Sequence, residues 1–137
     1  MMRTLVKLGS RVPLHASGVG KAIFASLPDE QIDAILKVIG LPRITENTIV
    51  VPETMWAALR VIRQRGYSFD DEEHARATRC VGGDGLRRAR RAARRDLARR
   101  AFVAPCRTSA SVNWGPIVAH IAEELTRKLG GRWPHPY

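Results

Sequence analysis

Residues 65–80, RGYSFDDEEHARATRC, constrain this chain more than any other stretch. Gly66 ends the element before it. Tyr67, Ser68 and Phe69 read as the entry of a strand, and residues 77–81 as a second short extended run. Between the runs stand five consecutive ionisable side chains, Asp70, Asp71, Glu72, Glu73 and His74. In strands, alternation puts Tyr67 and Phe69 on one face and Ser68 and Asp70 on the other, while Thr78 and Cys80 share a face. A hairpin would then gather Ser68, Asp70, Thr78 and Cys80 on one small polar surface, a floor for a polar ligand. The plainer alternative is an acidic turn joining two strands, with Cys80 an ordinary buried residue.

Upstream, Ala16-Ser17-Gly18-Val19-Gly20-Lys21 leads into a helix of small residues through Leu27. Leu27-Pro28-Asp29-Glu30 is a helix start, since proline suits the first helical position and carboxylates suit the positive end of the helix dipole. Ile32, Ile35, Leu36 and Ile39 follow at helical spacing, and Gly40 stops the run. Pro52-Glu53 opens another helix with the stripe Met55, Leu59 and Ile62, ended by Gly66. From Trp114 a last amphipathic stripe runs through Ile117, Val118, Ile121, Leu125 and Leu129 to Gly130-Gly131, leaving residues 132–137 as a tail. Residues 102–113 read as irregular.

The formal net charge of +10 is unevenly placed. Residues 83–113 hold nine arginines against Asp84 and Asp96, whereas the rest of the chain carries 14 basic and 11 acidic groups. Residues 86–100, LRRARRAARRDLARR, have high helix propensity but no apolar face wide enough to bury. Such a run is either a sequence-independent nucleic-acid binder or a solvated charged segment. Cys80 and Cys106 make no CxxC and read as reduced thiols of a cytoplasmic protein. The chain shows no secretory leader and no apolar run long enough to span a bilayer, so no membrane partner is expected.

Other chemistries fit poorly. Gly18-Val19-Gly20-Lys21 lacks the full phosphate-loop pattern, although amides at a helix start remain able to meet a carboxylate. The four histidines, His15, His74, His120 and His135, show no metal-ligand spacing with the cysteines. No nucleophile has an orienting base, so neither an enzyme nor a metal or cofactor site is expected.

Two long motifs, GSRVPLHASGVGKAIFASLPDEQIDAIL and IRQRGYSFDDEEHARATRC, together with WGPIVAHIAEELTRKLGG, resemble the effector-binding domain of IclR-type bacterial transcription factors. The resemblance covers residues 9–82 and 114–131. It implies an α+β, GAF-like domain with an antiparallel sheet and flanking helices, a small organic acid as effector, homo-oligomers in the intact family, and DNA contact through a winged helix-turn-helix domain absent from this chain. It implies that Gly18 and Val19 offer backbone N–H groups to the effector and that Asp70 and Cys80 close the polar end of the pocket. Thr78 stands where the family has an apolar residue. The first strands of the domain would precede Met1, which makes the N-terminus look truncated. Two further strands, with their serine-bearing I-S-x-S/A-G-P motif, are replaced by the arginine block.

That block, 83–113, reads as a frameshifted segment. Its length is close to the family's, and its Arg/Ala/Gly content is what GC-rich codons give out of frame. Synonymous codons can be chosen for residues 83–105 so that reading one base later spells ATVYDGHGEPLAAISLAGPSSRL, which restores I-S-L-A-G-P. A chain so altered is expected to be a partial effector-binding domain over 1–131. The alternatives are a nucleic-acid-binding fragment and a remnant whose acidic hairpin has an open edge and no partner.

Overall fold

The computed structural model describes residues 11–84, 101–106 and 111–128, with the backbone alone at 84, 101–106 and 111–113. The described elements are α1 (Gly18–Ser26), α2 (Asp29–Ile39), α3 (Pro52–Arg65), β1 (Ser68–Asp71), β2 (Arg79–Asp84), β3 (Ala101–Cys106) and α4 (Ser111–Lys128). The strands form one antiparallel sheet in the order β1-β2-β3. This is an α+β architecture, as the sequence led us to expect.

The helix boundaries follow the punctuation in the sequence. Pro28 precedes the first residue of α2, and Asp29 and Glu30 occupy its first turn. Pro52 opens α3, and Gly66 closes it in the left-handed region at φ 80°, where a side chain would be strained. Phe24, Ala25, Leu27, Ile32, Met55, Leu59 and Ile62 make one buried cluster among α1, α2 and α3. Arg63 ties the layer together. Its guanidinium donates to the carbonyls of Ala25 (2.8 Å) and Leu27 (3.0 Å), and it lies 2.7 Å from the Asp29 carboxylate. It thus satisfies acceptors at the end of α1, where carbonyls lack helical partners.

The sheet lies between α1 and α4. The α1 face meets Cys80 and Gly82 of β2, while Gly83 faces Val118 and Ala122 of α4. Three expectations need correction. The stretch expected to be irregular contains β3 and the start of α4. The acidic hairpin therefore has a partner strand, with Gly82 opposite Val103 and Cys80 opposite Pro105. Pro105 disguised this strand, but proline is tolerated on an edge, and β3 is an edge of the sheet formed by the described residues. Third, the α2 and α4 stripes are only partly buried: Ile39, Ile117 and Ile121 are exposed, and α4 uses Val118 and Ala122 inward instead. Residues 86–100, 129–131 and the tail lie outside the described residues, so the basic helix and the end of the last stripe do too.

Candidate functional site

The site is built where α1 starts. Ser17 caps the helix: its Oγ accepts the Gly20 N–H (3.0 Å) and donates to the Pro13 carbonyl (2.9 Å). Gly20 must be glycine, because a Cβ there would stand 2.4 Å from the Leu14 carbonyl oxygen. Gly18 and Val19 are the first two residues of α1. Their N–H groups have no acceptor within the helix and lie at the positive end of its dipole.

The sheet fixes this helix start from below. Ser68 Oγ, fully buried, donates to the Gly18 carbonyl in a short hydrogen bond and lies 3.3 Å from the Gly82 carbonyl. Gly18 sits so close to β2 that a Cβ on it would be 3.2 Å from the Cys80 carbonyl oxygen. Asp70 is the direct cross-strand partner of Cys80. The structure therefore brings Gly18, Asp70 and Cys80 together, with Val19 next along the helix.

Thr78 is not on this face. The ladder ends at Asp71 and Arg79, and Glu72 and Ala77 take left-handed backbone, at φ 60° and 57°. Alternation stops there, and Thr78 is used inside the turn, its carbonyl accepting the Glu72 N–H (3.1 Å). Ser68 faces the same way as Asp70, but its hydroxyl is spent on the α1 backbone.

Beneath the helix start lies a buried ionic group that the sequence did not announce. Lys21, only 3 % exposed, donates from Nζ to the Phe69 carbonyl (2.5 Å) and to Glu73 Oε1. Glu73 is also buried, and its other oxygen, Oε2, has no hydrogen-bond partner among the described residues. Asp70 Oδ1 accepts the Glu73 N–H (2.8 Å). The Glu73 carbonyl is held by Thr48 Oγ1 (2.8 Å), and the Glu72 carbonyl by Thr45 Oγ1 (2.7 Å). Lys21 is thus a structural cation paired across the fold, which retires the phosphate-loop reading of the GVGK stretch. No local signal links positions 21 and 73; only the packing of α1 on the hairpin does. His15 is structural as well: its Nε2 donates to the Pro42 carbonyl (2.9 Å), which fixes the tautomer.

Burial pushes the Asp70 carboxyl above its ordinary value, against the opposing pull of the Glu73 and His74 backbone N–H groups and of Lys21. Burial likewise pushes Glu73 up, against the attraction of Lys21. A carboxyl with a raised pKa binds its proton more tightly in the folded chain, so its contribution to stability is present at acid pH and lost as pH rises through the folded pKa. Relative to Asp70→Asn, the parent chain should therefore lose stability as pH rises through and above the ordinary carboxylate range. Urea midpoints of both chains across that range check this; a gap that moves the other way would contradict the burial argument.

The comparisons with known proteins decide the family. The model of the bacterial transcriptional regulator IclR C-terminal family matches residues 1–84, well over half of the chain. The chain belongs to the IclR family. Across 81 residues this domain is 46 % identical to the transcriptional repressor IclR of Escherichia coli K12, and 41 % identical to the HTH-type transcriptional repressor AllR of the same strain. In each case the match covers 59 % of this chain but only 30 % of the relative. These relatives are transcriptional regulators and not enzymes.

Among solved structures, the IclR-type domain is similar to Thermotoga maritima IclR, with TM-score 0.71 and 28 % identity over 95 % of this chain and 53 % of that one. The fold is shared by the PobR inducer-binding domain from Acinetobacter in complex with 3-hydroxybenzoic acid, at TM-score 0.71 and 23 % identity over 90 % of this chain and 70 % of that one. It is also shared by an IclR homologue from Microbacterium hydrocarbonoxydans in complex with 4-hydroxybenzoate, at TM-score 0.70 and 19 % identity over 93 % of this chain and 50 % of that one.

Proposed function

We propose that this IclR-type domain is the effector-sensing part of a cytoplasmic regulator and takes a small carboxylate. The observation that carries this reading is the seat of α1 on β2, which sets the start of the helix, at Gly18, against Cys80, the cross-strand partner of Asp70. An anion suits the amides. Asp70 would repel a second carboxylate, so it suits a hydroxyl, or donates its own proton when neutral. A hydroxylated acid meets both conditions, and two structural relatives are complexes with hydroxybenzoic acids. DNA contact in the whole regulator belongs to a helix-turn-helix, which the name of AllR records for that relative, and assembly is as a homo-oligomer.

Residues 83–113 are, on the same reading, an out-of-frame block. The family match ends at residue 84, one residue after the point where the shifted reading begins. The block removes the serines that complete one pocket wall, and a pocket needs enclosure and convergent polar groups. Two expected results follow. Resequencing of the gene should reveal one shift near Gly83 and a compensating one before Trp114; an independently verified uninterrupted frame would refute this. In calorimetry, 3- and 4-hydroxybenzoate and pyruvate should bind the present chain weakly or not at all. A chain carrying ATVYDGHGEPLAAISLAGPSSRL at 83–105 should bind at least one of them, and Asp70→Ala or Cys80→Ala should each weaken that binding by about tenfold or more, the scale of a lost charged or buried hydrogen bond. Tight binding to the present chain would show that its pocket wall is intact.

A further inference from the structure

Two buried carboxyls stand beside one buried lysine. Asp70 is 2 % exposed, Glu73 7 % and Lys21 3 %. Lys21 spends its ammonium on Glu73 Oε1 and on the Phe69 carbonyl. Asp70 receives the Glu73 N–H instead and stands in no ion pair among the described residues. We propose that Lys21 and Glu73 are positioning residues that leave Asp70 to meet the effector as a neutral acid, so that a small carboxylate binds with uptake of one proton. This rests on the effector reading above and selects between the two roles open to Asp70: it donates a proton to the anion.

The surroundings of Asp70 give its charge little support. From α1 comes Lys21, already neutralised by Glu73. Its own turn supplies Glu73, an anion, and His74. From β2 comes Cys80, directly opposite, while Arg79 is taken by Asp71 and Glu72. The loop before α3 reaches the turn with the hydroxyls of Thr45 and Thr48, and its Glu46 is exposed and paired with Arg76. Helix α4 meets the entry of β1 at Gly115, against the Tyr67 ring. Burial therefore raises the Asp70 carboxyl, outweighing the pull of the Glu73 N–H, Lys21, the His74 N–H and the His74 ring. An arriving carboxylate favours the neutral form further, because a like charge in a dry site disfavours ionisation. The proton comes from solvent, and the Asp70 O–H then donates to an effector oxygen. Lys21 joins the two halves of the site. It stands on α1 three residues after Gly18, and through Glu73 it grips the turn that holds Asp70.

The first test needs no ligand and uses the full chain. Carbon-13 NMR of the side-chain carboxyls, with Asp70→Asn to assign the signal, should show Asp70 titrating above the ordinary aspartate range. Glu73→Gln keeps the backbone N–H on Asp70 and an oxygen for Lys21, and removes one negative charge. It should lower the Asp70 midpoint by about one pH unit, the scale of an opposite charge no longer shared. A merely structural strut would leave that midpoint in place. In the chain restored at 83–105, whichever of pyruvate, 3-hydroxybenzoate and 4-hydroxybenzoate binds should raise the midpoint. Its affinity should fall as pH rises through the midpoint, by up to about tenfold per pH unit, the slope of one proton. An Asp70 that titrates in or below the ordinary range would overturn the proposal. So would a midpoint that Glu73→Gln does not move, or an affinity independent of pH. If none of the three carboxylates binds at any pH, the effector reading falls and the proton uptake with it, while the ligand-free titration still reports whether Lys21 and Glu73 set the charge of Asp70.

Discussion

Gly82→Ala should disrupt the seat of α1 and cost more than about 2 kcal/mol of folding stability, in the upper part of the range for overpacking a filled interior. A Cβ on Gly82 would lie 2.5 Å from both the carbonyl carbon and the oxygen of Gly18 and 2.8 Å from the Val19 nitrogen. These are backbone atoms, and they cannot rotate away. The helix start must lift off the strand, which breaks the Ser68–Gly18 hydrogen bond and moves the two amides proposed to meet the effector. The cost is purely steric, because Gly82 is not among the positive-φ glycines. Gly40→Ala shows the opposite cause. Gly40 has φ 63° and ψ −161°, a region nearly closed to other residues, and nothing within 4 Å of the added carbon, so its loss of about 1–3 kcal/mol is backbone strain alone. Urea denaturation reads the Gly82→Ala loss; a variant within about 1 kcal/mol of the parent, below the usual overpacking cost, would mean that α1 does not sit on β2 as described.

Breaking the Lys21–Glu73 pair should have the other large effect. Lys21→Met leaves a carboxylate with 9 % side-chain exposure facing Asp70, one of its oxygens already unpartnered. Removing one member of a buried pair costs about 3–5 kcal/mol, because the survivor stays buried and uncompensated. Removing both is far milder: Lys21→Met with Glu73→Met should recover most of the loss, since taking two charges out of water offsets much of their mutual attraction. A double-mutant cycle measures the coupling. A Lys21→Met chain within 1 kcal/mol of the parent, a loss of the order expected at an exposed pair, would show that solvent reaches the cluster.

The sequence by itself determined the local elements and the family. Pro28, Pro52, Gly40 and Gly66 mark helix ends because proline's fixed φ and glycine's freedom to take positive φ belong to the residue itself, whatever surrounds it. Met55, Leu59 and Ile62 are buried as their spacing required. Alternation correctly placed Asp70 with Cys80, because pleating is a property of the strand alone. It failed at Thr78, where two left-handed residues reset the turn. Asymmetric burial on α4 was not legible either. Ile117 and Val118 have similar hydrophobicity, and only the position of Gly83 decides which of them enters the core. The tertiary structure alone decided what Ser68, Lys21 and Glu73 do. Ser68 reaches a carbonyl 50 residues away, and Lys21 a carboxylate 52 residues away. No periodicity encodes such distances: they arise when α1 is pressed onto β2 at two glycines, and a buried charge must then find whichever partner that packing supplies.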